Sequence, residues 1–261
     1  MPEGDSGVPL SAEEVLTEGT KIVVDAGYDY SETGAGLIYQ LSEEAVERLS
    51  EKASSGKLPL KACNSFIPGT FSITDKSCFK ALEEYVDTVL RRSAKIGIET
   101  MVFGSGAARR IPDGMDRLTG RERIDDFLKM CSEYAEKYGI VIAIEPLNRR
   151  ECNILNTVAE GAETAYRLNL SKIKLLADSF HMYCESEDLS ILKDTAKILT
   201  HIHIAEPPER VYPGKSGGQY LTEFAKVLKE SGYSGRVSIE CGYSDFKADI
   251  SAAKKFISEV F

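Results

Sequence analysis

Glu145, Asp178, His203 and Glu240 each stand at or next to the end of a short apolar run, over 140–145, 173–178, 200–204 and 237–240. A carboxylate or imidazole at such an exit is out of place in a plan made only for packing. Four of them, on four successive runs, imply one shared site. Two glutamates, one aspartate and one histidine form an oxygen-dominated set with a single nitrogen. Such a set suits Mn²⁺, Mg²⁺ or Co²⁺ better than a structural zinc, which prefers thiolate and imidazole. No cysteine occupies the four positions. One divalent cation is the expected cofactor.

Taken singly, each residue has a bland explanation. Glu145 can pair with Arg149 or Arg150, Asp178 can cap the turn after its run, His203 can be a satisfied core histidine, and Glu240 can pair with Arg236. Structural ion pairs are common, so for Glu145 alone the two readings weigh equally. Jointly the functional reading gains, because every bland one would have to hold separately at an equivalent place. The chain has only three histidines, all between His181 and His203. His201 lies one pleat deeper than His203, which suits a hydrogen bond to a ligand carboxylate rather than ligation. His181, three residues past Asp178, can reach a substrate hydroxyl or be a surface-loop residue.

These residues need strands to position them. Apolar runs of this length, bounded by turn signals, read as buried parallel strands. Side chains alternate between the two faces of a strand. Glu145, Ala143 and Val141 then share one face and Ile144, Ile142 and Ile140 the other; His203 and His201 oppose Ile202 and Ile204; Glu240 and Ser238 oppose Ile239 and Val237. The aliphatics can face an outer helical layer while the small and polar residues face a common interior. A (β/α) barrel builds its site in this way, at the C-terminal mouth of its strands.

Along the chain, strand-like and helix-like segments alternate. Ser11 can cap a first helix that runs to Gly27. Strands are expected at 28–33, 60–66, 98–103, 140–145, 173–178, 200–204 and 237–240, and the later helices at 42 onward, 80–95, 121–138, 157–168, 189–199, 221–230 and 252–260. The alternation implies one parallel sheet with right-handed crossovers. Met1 to Leu10 are too polar and too rich in Gly and Pro for a full central strand. The expected fold is therefore an α/β, (β/α)8 TIM-type barrel in one domain over 1–261, with a weak or missing first strand. The gap would be covered by the N-terminal segment or by another subunit of a homo-oligomer, since an open sheet edge invites pairing.

Composition bounds the rest. The chain has 261 residues, 28% charged and 43% hydrophobic, with a net charge of −9. That charge repels nucleic acid and anionic membranes, and no apolar run is long enough to span a bilayer. The start lacks the basic and apolar regions of a signal peptide. Six cysteines without metal-binding or CxxC spacing fit reduced thiols in a cytoplasm. Arg109 and Arg110 are read as a solvated surface pair rather than a phosphate site.

The stretches Ile144-Glu145-Pro146-Leu147-Asn148-Arg149, Leu176-Ala177-Asp178-Ser179-Phe180-His181-Met182, His201-Ile202-His203-Ile204-Ala205-Glu206 and Ile239-Glu240 resemble the metal-site motifs of the sugar isomerase/epimerase superfamily of xylose isomerase-like barrels. Within it they are most similar to the D-tagatose 3-epimerase and D-psicose 3-epimerase group. The resemblance implies that Glu145, Asp178, His203 and Glu240 ligate the metal, that Glu145 and Glu240 also carry protons, and that Glu151, His181 and Arg210 bind a small sugar. Pro207-Pro208-Glu209 departs from the family spacing before Arg210. Chemistry of this kind removes a carbon-bound proton beside a ketone. A metal on the carbonyl and hydroxyl oxygens stabilises the enediolate, and two carboxylates exchange protons on opposite faces. An aldose–ketose isomerase, of hydroxypyruvate type among others, or an inosose dehydratase would use the same metal set. An endonuclease IV-like enzyme would need more metal ligands and a basic face, and a non-catalytic binding barrel would exchange no carbon-bound proton.

Overall fold

A computed structural model of the chain describes residues 9–261. The first helix, α1 (Ala12–Asp25), opens on a reciprocal cap: the Glu14 amide donates to Ser11 Oγ and the Ser11 amide to Glu14 Oε2. Caps of this kind are worth about 1 kcal/mol. The chain then alternates: β1 (Ser31–Gly34), α2 (Ala35–Gln40), α3 (Glu43–Ser54), β2 (Leu60–Asn64), α4 (Phe79–Ile96), β3 (Thr100–Phe103), α5 (Gly106–Arg109), α6 (Arg117–Tyr138) and β4 (Val141–Ile144). The second half runs α7 (Val158–Leu168), β5 (Ile173–Asp178), α8 (Ser179–Cys184), α9 (Ile191–Asp194), β6 (Leu199–Ile204), α10 (Gln219–Glu230), β7 (Arg236–Ile239) and α11 (Phe246–Val260).

All seven strands are parallel and pair in sequence order. They form a nearly closed barrel of the TIM type. Among the described residues β1 and β7 share no ladder, but they meet through side chains: Tyr30 Oη and Ser238 Oγ are 2.9 Å apart. The expectation of a weak first strand in Met1 to Leu10 falls mostly on residues 1–8, which lie outside the described residues.

The expected parity holds. Ile142 and Ile144 of β4 pack outward with the helices, whereas Val102, Ala143 and Leu176 form a small cluster inside the barrel. The outer layer rests on helical stripes such as Leu82, Tyr85, Val86, Val89 and Leu90 of α4 and Ile124, Leu128, Cys131 and Ala135 of α6. Burying each leucine, isoleucine or valine among them stabilises the fold by about 1.5–3 kcal/mol. Gly139 ends α6 with a left-handed φ of 76°, and the chain enters β4 directly.

One helix differs from expectation. Residues 189–199 hold only the single turn α9, after which the chain turns over Thr195 and Ala196 into β6. The Thr195 hydroxyl bonds back to the Ile191 carbonyl, and the apolar residues that gave the helical pattern, Ile198 and Leu199, belong to the strand entry. Short helices α2 and α8 follow β1 and β5 directly, and α5 follows β3 after Gly104 and Ser105; these helices have too few residues to show a helical period. No helix among the described residues is long and apolar enough to cross a membrane.

Candidate metal centre and cleft

The strands bring residues to the same end of the barrel at or just past their exits: in order Gly34, Asn64, Gly104, Glu145, Asp178, His203 and Glu240, with Glu32 one pleat deeper in β1. A cleft of about 660 Å³ opens there, lined in part by Glu145, Glu151, His181, Arg210 and Glu240. Pockets of this size suit small-molecule ligands.

Glu145, Asp178, His203 and Glu240 converge, each offering a ligand atom within 4.8 Å of the others. His203 Nδ1 lies 3.0 Å from Glu145 Oε1 and 3.5 Å from Glu240 Oε2. Asp178 does two things at once. Its Oδ1 accepts from the Phe180 and His181 amides and caps α8, so the bland explanation is correct for that oxygen. Its Oδ2 is buried without any partner. A buried carboxylate oxygen left bare is costly, and a cation among the four groups would satisfy it. The donor set and this bare oxygen together fit a hard divalent ion.

The bland pairings for the glutamates are replaced by others. Arg149 pairs with Glu185, and Arg236 with Glu99. Glu240 instead meets Arg210, whose Nη2 is 2.6 Å from Oε2, and receives Asn64 Nδ2 at 3.2 Å. The environments of the two glutamates diverge. Burial, with the Glu240 charge nearby, pushes the Glu145 carboxyl up. Burial also acts on Glu240, but the neighbouring His203 ring and the Arg210 guanidinium outweigh it and hold that carboxyl down. Burial pushes Asp178 up to about 6.

Around this set lie the residues expected to bind substrate. His181 is buried rather than on a surface loop. The Asn148 side-chain amide sits 2.8 Å from its Nδ1, and the Asn148 backbone amide also donates there. That makes Nδ1 the acceptor and leaves the proton on Nε2, which has no hydrogen-bond partner; the residue itself belongs to the cleft wall. Burial lowers the pKa of His181, favouring the neutral ring. Glu151 accepts from Asn148 Nδ2 at 2.9 Å and from Arg210 Nη1 at 3.3 Å.

Arg210 is brought into the cleft despite its unusual spacing. Residues Glu206 and Val211 exchange backbone hydrogen bonds, closing a tight loop whose last residue is Arg210, and the Gly242 amide donates to the Arg210 carbonyl at 2.8 Å. The buried Glu206 carboxylate accepts from the amides of Gly214, Ser216 and Gly218 and so ties down the following segment.

Arg109 and Arg110 are not a solvated pair. Arg109 is fully buried, and its guanidinium donates to the carbonyls of Phe103, Glu145 and Leu155. It braces the exits of β3 and β4 and does not reach the cleft. Arg110 is exposed and donates to the Glu151 carbonyl.

His201 also departs from expectation. Its Nε2 is 3.0 Å from Glu32 Oε2 and 3.1 Å from Ser238 Oγ, so its carboxylate partner lies outside the four-residue set. Glu32 was not singled out by the sequence reading, nor was Asn64. The available signal was strand parity: Glu32 is an acid in a strand whose neighbours must be buried, as Glu145 is.

Comparison with known proteins agrees with this architecture. The sequence pattern of the xylose isomerase-like TIM barrel family matches residues 21–259. The chain is similar to 3-dehydro-D-guloside 4-epimerase of Escherichia coli (strain K12), 26% identical over 234 residues covering 87% of each protein. It is similar to D-psicose 3-epimerase of Agrobacterium fabrum, 27% identical over 226 residues covering 84% of this chain and 76% of that protein. A solved structure of D-psicose 3-epimerase in the presence of D-fructose superposes with a TM-score of 0.83 at 24% identity, over 94% of this chain and 93% of that one. Its parallel barrel and the family pattern spanning nearly all of it place this chain in the xylose isomerase-like TIM barrel family.

Proposed function

We propose that the protein is a divalent-metal-dependent epimerase that inverts C3 of a small, unphosphorylated ketose, with Glu145 and Glu240 as proton carriers. The observation that carries this reading is the placement of the two glutamates. They project from the exits of β4 and β7 into one cleft and share the proposed metal set. Two carboxylates brought to one cleft from different strands suit one proton acceptor and one proton donor.

The relatives support the same chemistry. A psicose has its ketone at C2, and a 3-dehydro-guloside has one at C3. Inversion at C3 and at C4 respectively therefore falls on the carbon next to a ketone.

Glu145, Asp178, His203 and Glu240 would hold Mn²⁺, Mg²⁺ or Co²⁺. When bound, such an ion supplies Lewis-acid polarisation of the ketone and stabilises negative charge on the enediolate oxygens. The side chains do the remainder. One glutamate removes the proton from the carbon beside the ketone, and the other returns a proton to the opposite face. His181 donates from Nε2 to a sugar hydroxyl, in a tautomer set by Asn148. Arg210 and Glu151 hold further hydroxyls at the mouth.

Charge argues for an unphosphorylated sugar. Among the described residues lining the cleft, Arg210 is the sole lysine or arginine, and Glu240 and Glu151 already engage it. A phosphate would meet three carboxylates and no unengaged lysine or arginine side chain.

The test is a metal-supplemented panel of ketohexoses, ketopentoses, their phosphates and 3-keto-glycosides in heavy water. Deuterium is expected at the carbon beside the ketone, together with the epimer of a free ketose. Interconversion of an aldose–ketose pair alone would make the protein an isomerase. Absence of carbon-bound exchange in every sugar would make it a binding barrel.

A further inference from the structure

We propose that Glu32 is a positioning residue that makes His203 a metal ligand, by holding the imidazole with its proton on Nε2 and Nδ1 free for the ion. The inference rests on the metal reading above. Glu32 Oε1 lies 2.9 Å from His203 Nε2, while His203 Nδ1 lies 3.0 Å from Glu145 Oε1. The two nitrogens of one ring therefore face different partners: Nδ1 looks into the proposed metal set and Nε2 looks away from it, to Glu32.

A neutral imidazole has one donor and one acceptor nitrogen, and an ionised carboxylate only accepts. Glu32 thus dictates which nitrogen carries the proton. A ligating histidine characteristically gives its other N–H to such a group, which fixes the ring and raises its basicity. Both groups are shielded from bulk solvent, the His203 side chain being 0% and that of Glu32 9% exposed.

Glu32 is itself steered. Its second oxygen, Oε2, is 3.0 Å from His201 Nε2, which is 3.1 Å from Ser238 Oγ, and Ser238 Oγ is 2.9 Å from Tyr30 Oη. This chain of contacts links β1, β6 and β7 where the sheet lacks a ladder. The β1 register also shifts between Ser31 and Glu32, a local irregularity of the kind that re-aims a side chain. Glu32 is absent from the cleft wall, so it acts through His203 and not on substrate. Glu32, His201 and His203 also lie close enough to hold an ion of their own. That arrangement would strip the proton from His203 Nε2 and make the ring a bridge between two ions, whereas the hydrogen-bonded arrangement needs only neutral rings.

Glu32→Gln separates these cases. A glutamine has one carbonyl and one amide N–H₂, so it can accept from only one of the two rings and turns a donor toward the other. Titrating the metal-free proteins with Mn²⁺ by calorimetry, wild type is expected to bind one ion. The variant is expected to bind one ion with affinity weaker by about 10–100-fold. Equal affinity in both proteins overturns the proposal. Two ions in wild type and one in the variant also overturn it, by making Glu32 a ligand. A wild type that binds no ion removes the metal reading itself, and this inference with it. A second measurement stands whether or not the variant folds. In ¹⁵N-histidine-labelled, Mg²⁺-loaded wild type, His203 is expected as the Nε2–H tautomer, and a ring without a proton on Nε2 overturns the assignment.

Discussion

Gly104 faces the Glu145 carboxylate so closely that a methyl group built on its Cα would sit 2.2 Å from Glu145 Oε2. Glycine is required here by close approach alone, since its φ is not in the left-handed region. An alanine is conformationally allowed but must displace the carboxylate. Glu145 is also held from behind, by Arg109 on its carbonyl, so its side chain rather than its backbone has to give. Gly104→Ala is expected to fold as a barrel while losing about 10²-fold in turnover, the cost of roughly 1 Å of misplacement in a reacting group. It should also weaken metal binding. Wild-type kinetics in this variant would show that the Glu145 carboxylate position does not matter.

His181 is expected to serve substrate and not the ion. Its Nδ1 is occupied by Asn148, its Nε2 is without a partner, and the residue lines the cleft. Replacement by Ala removes one donor to a hydroxyl, so kcat/KM should fall by about tenfold or more, the worth of roughly 1.4 kcal/mol. Metal content should remain at one ion per chain by elemental analysis. Asn148→Ala, which frees the ring to choose its tautomer, should move kcat/KM in the same direction. Loss of the ion from either variant would place His181 on the metal instead.

A pH effect is expected away from the site. Glu187 accepts the Val158 amide at the start of α7, and burial pushes its carboxyl up from 4.5 to about 7. A raised folded pKa means that the folded chain keeps a proton which the unfolded chain gives up. Its contribution is fully present below about 4.5 and is lost as pH rises through about 7. Glutamine keeps an oxygen for the Val158 amide but has no charge to bury. Glu187→Gln should therefore melt above wild type at pH 8, and the difference should shrink toward pH 4.5. An advantage that is the same at both pH values would mean that the carboxyl does not titrate in this window.

Much of this arrangement was legible because strand parity is a local property. The alternation in Val141 to Glu145 and in His201 to Ile204 places their polar members on one face, and the barrel then brings those faces together. Glu32 escaped because its strand is only Ser31–Gly34, with no flanking aliphatic run, and its register shifts at that point. Arg109 was misread because a charged residue beside a glycine turn resembles solvent-facing sequence. Its burial depends on three carbonyls, of which those of Glu145 and Leu155 come from distant segments. The false helix at 189–199 arose because the apolar spacing of Leu189, Leu192, Ile198 and Leu199 fits a helix as well as a turn leading into a strand. Arg210 was placed by contacts of its loop with Glu206 and Gly242, which spacing does not encode.

The sharpest test of the proposed chemistry separates the two glutamates. Glu145 and Glu240 come from different strands, line the same cleft, and offer oxygens to the same ligand set. Replacing either by Gln keeps a ligand oxygen and nearly the same shape, so metal content must be measured first. Among metal-loaded variants, both should lose epimerisation by about 10²–10⁴-fold, the usual contribution of general acid–base catalysis. Their exchange behaviour should differ. With one carrier gone, the remaining glutamate can still remove and return a proton on its own face, which exchanges the substrate hydrogen with solvent without inverting the carbon. Starting from the two epimers of one ketose in heavy water, each variant should exchange the epimer whose proton faces its surviving carboxylate and leave the other unlabelled. Opposite preferences in the two variants would assign each glutamate to one face of the substrate. If both variants label the same epimer, the two carboxylates do not face opposite sides of the substrate, and the two-carrier mechanism is wrong.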